Sequence, residues 1–287
     1  MVNMLAKSAL YVVATPIGNL RDISLRALDV LATVDIVAAE HIQTSRHLLA
    51  AHSINTKVIA LHQHNEVAVA EEIVTLLASE KSIALVTDAG TPCISDPGAI
   101  LVDHVRAQGY QVIPIPGANA AVCALSVAGI TNSHFMFYGF LPNKTVGRKR
   151  ELTALKAQTC TLVFYEAPHR IIDCVVDMVE VFGEKRQLVI ARELTKLFET
   201  FHRCELGDAL TWLQDDSNQQ KGEFVLMLSG AKVENKQAIS DDVLHTLNTL
   251  LEELPLKQAV KLAVEITGEN KNKLYKQALE LKNNSVL

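Results

Sequence analysis

A loop running from Thr87 to Gly98 holds the densest set of side chains in this sequence that could do chemistry. It follows the apolar run Ile83–Thr87, which predicts a β-strand, and it leads into Pro97–Gln108, which has helical spacing. A loop at the carboxyl end of a parallel strand faces the crevice in which open α/β sheets bind their ligands. The carboxylates of Asp88 and Asp96 accept hydrogen bonds and would repel a phosphate. The loop therefore predicts a site for a cation or for sugar hydroxyls.

Two further loops are expected at the same edge, Ala14–Leu20 after the first predicted strand and Pro116–Ala121 after a later one. Gly117 and its small neighbours permit a close backbone approach, either to a ligand or between helix and sheet. Neither loop reads G-x-G-x-x-G or G-x-x-x-x-G-K-[ST], and the common glycine-rich fingerprint of Rossmann-type methyltransferases is also missing. Ordinary dinucleotide and P-loop functions are therefore unsupported.

The elements that must position these loops alternate, as far as residue 130, between short apolar runs and helical patterns. Strands are predicted at Leu10–Ala14, Asp35–Ala39, Val58–Leu61, Ile83–Thr87 and Gln111–Ile115, and helices after an Asp22 or Ser24 cap and over Thr44–Ala51, Ala68–Ala78 and Pro97–Gln108. Strands that are apolar on both faces and alternate with helices indicate a parallel sheet covered by helices.

The following part of the chain has a different rhythm. Strands are predicted at Phe135–Leu141, Thr161–Tyr165, Leu188–Ala191, Leu197–Cys204 and Phe224–Leu228, with helices near Arg148–Ala157, His169–Val181 and Gly207–Leu213. No helix separates Leu188–Ala191 from Leu197–Cys204, which favours antiparallel pairing and so a mixed sheet.

Beyond these sheets, the polar stretch Ala231–Ser240 is typical of a linker, and three short helices are predicted after it. These helices are Val243–Leu251, Leu256–Thr267 and Lys271–Leu281, with an apolar face that includes Leu244, Leu247, Leu251, Leu262 and Ile266. The predicted domains are residues 1–117, residues 118–231 and a helical module over residues 240–287.

Composition limits the function classes. The net charge of −5 and the 49% hydrophobic content are those of a soluble globular protein, and no apolar stretch has the length of a membrane span or secretory signal. We therefore expect a cytoplasmic protein, whose five separated cysteines are free thiols rather than disulfides or zinc ligands. Two basic clusters could contact nucleic acid: Lys144, Arg148, Lys149 and Arg150, and the lysines of the last 33 residues.

Seven segments occur in the order found in a known family. They are Ala14–Leu20, Leu85–Gly98, Pro114–Ala121, Phe137–Pro142, Phe164–Arg170, Ala191–Lys196 and Lys221–Val225. In these segments the chain resembles the small-subunit ribosomal RNA methyltransferases of the tetrapyrrole-methylase superfamily, and Leu254–Leu279 resembles their helical C-terminal module. The resemblance implies a two-domain α/β fold with a parallel-sheet N-domain, a mixed-sheet second domain and a small helical module.

The same resemblance implies that S-adenosyl-L-methionine binds between the two α/β domains without a metal. Carried over by motif, its binding residues are Asp88, Gly90, Ile94, Ser95, Asp96, Ala118, Asn119, Phe164, Tyr165, Arg192, Glu193, Leu194 and Glu223. The implied reaction is 2′-O-methylation of a cytidine ribose, of the position-1402 type, in the decoding region of 16S rRNA. A homodimer acting on the small ribosomal subunit is also implied.

One segment departs from the family. Where the family usually has Glu-Asp-Thr-Arg, this chain has Glu40-His41-Ile42-Gln43, so an acid, a hydroxyl and a cation are replaced. A ribose hydroxyl is a poor nucleophile and benefits from a general base within hydrogen-bond reach. The candidate bases are Glu40, Asp22, Glu166 and His169, although Asp22 could instead cap a helix and Glu166 could pair with Arg170.

Two alternatives stay open at this point. The altered Glu40–Gln43 segment would suit a catalytically silenced protein that still binds the cofactor or RNA. The second alternative is a C-methyltransferase of the tetrapyrrole type that acts on a small molecule. The two basic clusters favour an RNA substrate over a tetrapyrrole.

Overall fold

The first of two sheets is entirely parallel and is built from the N-terminal half of the chain. The computed structural model describes residues 6–232 and 239–284. The strands of this sheet are β1 (Ala9–Val13), β2 (Ile36–Ala39), β3 (Lys57–Ala60), β4 (Ile83–Val86) and β5 (Gln111–Ile115), in the order β3-β2-β4-β1-β5. Separate apolar clusters cover its two faces, as expected of strands buried on both sides.

The helices that connect these strands are α1 (Leu25–Thr33), α2 (Ile42–Ala51), α3 (Glu66–Ala78) and α4 (Ala99–Ala107). Ser24 caps α1, because its Oγ accepts the backbone N–H of Ala27 at 3.1 Å. The cap of α4 comes from a different helix: buried Glu66 Oε1 accepts the N–H groups of Gly98, Ile100 and Leu101 at 2.8–3.1 Å. This carboxylate fixes the end of the Thr87–Gly98 loop.

The second sheet is mixed, as the sequence predicts. Its strands are β6 (Phe135–Phe140), β7 (Thr161–Glu166), β8 (Gln187–Arg192), β9 (Thr200–Glu205) and β10 (Phe224–Leu228), in the order β6-β7-β10-β8-β9. Strands β6 and β7 are parallel, and the other neighbours are antiparallel, including the β8–β9 pair. Helices α5 (Ala120–Val127), α6 (Thr145–Leu155), α7 (Ile171–Phe182) and α8 (Ala209–Asp215) accompany this sheet.

The C-terminal unit is a separate compact body of three helices, since the chain divides into Met1–Ala231 and Lys232–Leu287. The helices are α9 (Asp241–Glu253), α10 (Leu256–Thr267) and α11 (Lys271–Asn284). Gly268 ends α10 with a left-handed φ of 69° and donates its N–H to Val264. Residues 233–238 of the predicted linker, and 285–287 of the predicted module, lie outside the described residues.

Several boundaries differ from the sequence-based expectations. Helix α5, which the sequence analysis left unassigned, begins where the Asn119 side chain accepts the N–H of Val122. Pro97 precedes α4 rather than standing in its first turn. In the C-terminal unit Leu262 and Ile266 are exposed, because α10 buries Ala259, Val260 and Ala263 instead. No helix in the described ranges is long and apolar enough to cross a membrane.

Candidate active site

Loops from both sheets enclose a cavity of about 280 Å³. They follow the carboxyl ends of parallel strands β1, β4, β5 and β7, and they are joined by the loops after β8 and before β10. Eight of the residues assigned to the cofactor by resemblance line this cavity: Gly90, Ile94, Ser95, Asp96, Asn119, Tyr165, Leu194 and Glu223. The structure thus brings together residues that are up to 133 positions apart in the sequence (223 − 90).

Backbone and hydroxyl hydrogen bonds hold the loops of the first sheet together. Thr15 and Gly90 exchange both of their backbone hydrogen bonds, at 2.8 and 3.0 Å. Thr91 Oγ1 donates to the carbonyl of Ala118 at 3.0 Å, which joins the loop after β4 to the loop after β5. These hydrogen bonds tie the three loops to one another at the cavity wall.

The loops after β4 and β8 contain strained backbone. Cys93, Ser95, Glu193 and Thr195 all have φ between 53° and 69°, a region that non-glycine residues rarely occupy. Gly139 of β6 has φ of 81°, and a Cβ there would lie 2.4 Å from Ser95 Oγ. Such outliers persist where surrounding structure enforces them, and both of these loops contribute residues to the cavity lining.

Asp96 is the titratable group most perturbed at the cavity. Burial, together with the nearby charges of Glu40 and Asp88, raises the pKa of Asp96 to about 6, although the Thr87 hydroxyl opposes the shift. Thr87 Oγ1 donates to Asp96 Oδ2 at 3.3 Å. A cationic ligand, or hydroxyl groups of a ligand, would stabilise the ionised form of this carboxylate.

Tyr165 projects from β7 toward α5, where its hydroxyl oxygen accepts the N–H of Ala121 at 3.1 Å. Its ring also meets Phe137 and Phe140 edge-on, with centroids 4.9 and 5.7 Å apart. Burial raises the pKa of Tyr165, so its hydroxyl is neutral. These contacts form the aromatic wall of the cavity.

The side chains of two residues assigned to the cofactor face away from the cavity, so any contact with the cofactor would have to come from their backbone. Phe164 is fully buried on the opposite face of the second sheet, because neighbouring residues of a strand point to opposite sides. Arg192 is 7% exposed, and its guanidinium donates to the carbonyls of Lys221 and Phe198 and to Thr200 Oγ1. Both side chains support the sheet rather than the ligand.

Three more assigned residues lie beside the cavity lining. Glu193 accepts from Lys196 Nζ at 2.8 Å and from the N–H of Glu223 at 3.0 Å. Burial opposes ionisation of Glu193, but these hydrogen bonds outweigh it and lower the pKa of Glu193. Ala118 contributes its carbonyl to Thr91. Asp88 Oδ1 is buried and, among the described residues, has no hydrogen-bond partner.

Further lining residues were not singled out from the sequence: Ile17, Ala89, Thr91, Ala120, Phe140, Ala167, Pro168, Phe224 and Val225. All of them lie inside the seven segments that carry the family resemblance. The seven segments therefore contain these lining residues, but the segments alone do not show which side chains point into the cavity. That depends on the alternation of side chains along each strand and on the geometry of each loop.

The four candidate bases have different surroundings. Glu166 lines the cavity but is ion-paired with Arg170 at 2.9 Å and accepts the N–H of Ala167. Asp22 is exposed in a short 3₁₀ turn, and His169 is exposed; neither lines the cavity. Only Glu40, half-buried after β2, is electrostatically linked to Asp96 without an ion-pair partner among the described residues.

A grouping that the sequence analysis missed lies at this edge of the first sheet. Glu40, His41 and Asp88 bring carboxylate and imidazole atoms within 4.8 Å of one another. His41 Nδ1 and Asp88 Oδ2 are 2.7 Å apart, which is a direct hydrogen bond. Exposed acidic groups commonly lie together in this way without binding a metal ion. In this group, His41 and Asp88 already form a hydrogen bond with each other.

The basic cluster on α6 is divided by the fold, which corrects the predicted RNA-contacting set. Arg148 is 1% exposed, and its Nε donates to buried Asp177 at 2.6 Å, so it cannot reach a phosphate. Lys149 is paired with Glu180. Lys144 and Arg150 remain exposed on the surface.

Comparison with known families defines the class of this fold. Residues 9–210 match the family of Tetrapyrrole (Corrin/Porphyrin) Methylases. Among solved structures, a cobalt-precorrin-4 methyltransferase of cobalamin biosynthesis covers 77% of this chain and is itself 95% covered, with a TM-score of 0.59 and 17% identity. A Thermus thermophilus uroporphyrin-III C-methyltransferase, solved with S-adenosylhomocysteine, covers 77% of this chain and is 97% covered, with a TM-score of 0.57 and 12% identity. The fold is that of a tetrapyrrole methylase.

Closer relatives narrow the assignment. Ribosomal RNA small subunit methyltransferase I of Escherichia coli O157:H7 is 48% identical over 275 residues, 96% of each chain. The protein of the same name from Vibrio cholerae is 49% identical over 271 residues, 94% of each chain. Residues 237–282 match the RsmI C-terminal HTH domain. The chain belongs to the ribosomal RNA small subunit methyltransferase I family.

Proposed function

We propose that this protein transfers a methyl group from S-adenosyl-L-methionine to 16S rRNA of the small ribosomal subunit. One observation carries the proposal: the cavity is lined by the residues that the family resemblance assigns to the cofactor. The relatives at 48–49% identity are small-subunit rRNA methyltransferases by name, and a structural neighbour binds the demethylated cofactor.

The residues around the cavity suit the chemistry of this methyl donor. Ile17, Ile94 and Leu194 offer apolar surface, and Asp96 offers an acceptor for hydroxyls or a counter-charge for a sulfonium. The cofactor supplies an already activated methyl group, so the protein has mainly to align an acceptor oxygen with it. The hydrogen-bonded loops of the first sheet would provide that alignment.

We further propose that the acceptor is the 2′-hydroxyl of a cytidine in the decoding region. The basic surface around Lys144 and Arg150, and exposed lysines of the C-terminal helices such as Lys271 and Lys276, would hold phosphates without reading sequence. The reaction itself is proposed to need no metal, because carbon–sulfur cleavage from a sulfonium requires no Lewis acid. Activity should therefore survive dialysis against EDTA.

The proposal extends to a cytoplasmic homodimer. Exposed apolar side chains on α5 and around β9 support an interface there: Val122, Val127, Leu197, Phe198 and Phe201. Leu197, at 89% exposed, and its neighbour Phe198, at 66%, are the most exposed of this set, and contiguous exposed apolar residues mark interaction sites. Sedimentation of wild type and Leu197→Asp would test this face.

The experiment that tests the proposed activity is transfer of tritiated methyl groups to small subunits from cells that lack this modification. Counts should appear in 16S rRNA, and fully modified subunits should accept none. Incorporation into a tetrapyrrole but not into rRNA would favour the C-methyltransferase alternative. Cofactor binding without any transfer would favour the silenced protein.

A further inference from the structure

His41 occupies a position where the sequence departs from its family, and the structure gives it a defined setting. It immediately follows Glu40 at the carboxyl end of β2 and stands at the N-cap of α2, although its side chain caps no backbone N–H there. Strands β2 and β4 are hydrogen-bonded neighbours with Ala39 opposite Val86. The residues that follow each strand therefore emerge side by side at the cavity edge.

The contact between His41 and Asp88 fixes the chemistry of the imidazole ring. Nδ1 lies 2.7 Å from Asp88 Oδ2, and an ionised carboxylate can only accept, so Nδ1 must carry the proton. In a neutral ring Nε2 is then the basic nitrogen. Within the described residues Nδ1 makes the ring's hydrogen bond, and the side chain is 67% exposed, which leaves Nε2 accessible.

Two carboxylates lie close to this ring. Asp88 touches the ring, and Glu40 offers a carboxylate within 4.8 Å of the same group. Asp96 of the cavity wall interacts electrostatically with both Glu40 and Asp88, so the cluster lies near the cavity without lining it. The arrangement is that of a histidine base oriented by an aspartate.

We propose that His41 accepts the proton of the RNA hydroxyl during methyl transfer, with Asp88 as the positioning residue that holds its tautomer. The inference rests on the proposed function. As the ribose oxygen bonds to the methyl carbon, the carbon–sulfur bond breaks with its electron pair left on sulfur. The hydroxyl proton passes to Nε2 and later to water, so charge and atoms balance. The substituted segment thus keeps a proton acceptor instead of losing one.

Paired substitutions separate proton transfer from positioning. In His41→Asn the side-chain amide can still donate to Asp88 but has no basic nitrogen. In His41→Gln neither the geometry nor the base is kept. If Nε2 is the proton acceptor, both variants should lose about 100-fold or more in kcat, with the dissociation constant for S-adenosylmethionine within about twofold of wild type. His47→Asn, an exposed histidine on the same helix, is the matched control and should keep the wild-type rate.

A second readout does not depend on activity. Long-range ¹H–¹⁵N spectra of the protein without methyl donor should show His41 protonated at Nδ1 and unprotonated at Nε2. In Asp88→Asn this preference should disappear, and kcat should fall by roughly tenfold or more while the His47 signals stay in place.

The results distinguish failure of this inference from failure of the proposed function. If wild type transfers no methyl group to small subunits, the proposed function fails, whatever the variants do. If wild type is active and His41→Asn keeps its kcat, or if the spectra show His41 protonated at Nε2, the assignment of His41 as proton acceptor is overturned. Loss of kcat in Glu40→Gln with full activity in His41→Asn would assign the base to Glu40 instead.

Discussion

At the scale of single residues, the site is set by how carboxylates are placed at the edge of the first sheet. Asp96 is half-buried in the cavity wall, whereas Asp88 sits at its rim against His41. Two aspartates of one loop therefore have different tasks: one would face the ligand, and the other orients a neighbour. The loop's composition indicates a site, but not this division of roles.

Asp96 makes the stability of the unliganded protein depend on pH. Its pKa is raised from 3.8 to about 6, so the native state holds a proton that the unfolded chain has released between these values. The contribution of Asp96 to stability therefore falls as pH rises from about 4 to 6. Asp96→Asn, which resembles the protonated form, should melt close to wild type at pH 4 and above it at pH 7.

Differential scanning calorimetry at both pH values measures this difference. Asp103→Asn, an exposed carboxylate change on α4, serves as the control. If Asp96→Asn is no more stable than wild type at pH 7, then ionisation of Asp96 does not destabilise the native state, and the prediction is wrong.

At the scale of elements, the sequence shows which segments form strands and helices but not which charges they bury. Basic residues at positions 144–150 look alike in sequence, and helical geometry alone turns Arg148 inward against Asp177 of α7. The antiparallel β8–β9 pair was predictable, because no crossover helix fits between those strands. Helix α5 was missed, since its short uniform apolar run lacks a period.

Arg148 and its surface neighbours should therefore behave differently when substituted. Arg148→Ala removes the 2.6 Å partner of the buried Asp177 carboxylate and leaves it only Lys149 Nζ at 3.6 Å. Breaking a buried ion pair typically costs about 3–5 kcal/mol of unfolding free energy, and the contact with Lys149 should hold the loss toward the lower end. Urea denaturation should show this loss of stability. In a double variant, Arg148→Met with Asp177→Leu, both charges are replaced by apolar side chains, so much of the lost stability should return.

The double variant Lys144→Ala, Arg150→Ala should instead leave the urea midpoint unchanged. It should weaken RNA binding and lower the salt slope, because about two phosphate contacts are lost. If the salt dependence of RNA binding is unchanged, Lys144 and Arg150 are solvated surface charges that do not contact RNA.

At the scale of the whole molecule, the two compact units have separate cores. The cavity belongs entirely to residues before 232, and the C-terminal helices enclose their own cluster around Leu247, Ala263 and Leu274. The cleft could be anticipated from the order of the seven segments. Its depth could not, because it depends on the angle between two sheets that no local pattern encodes.

Truncation after Lys232 tests how the units divide the work. The shortened protein keeps the cavity and all four apolar clusters of the two sheets, so its affinity for S-adenosylmethionine should match that of the full chain in calorimetry. It should methylate small subunits more slowly, because exposed lysines of the C-terminal helices are gone. A truncated protein that melts normally and reaches the full rate would show that the cleft alone selects RNA.

We propose above all that this cavity directs a methyl group onto a ribose oxygen of small-subunit rRNA. The most direct test is nucleoside mass spectrometry of 16S rRNA after the purified protein has acted on unmodified small subunits. We expect a single new 2′-O-methylcytidine, mapped to the decoding region and absent when the protein is omitted. A methyl group on a base, or on a ribose elsewhere in the RNA, would contradict it.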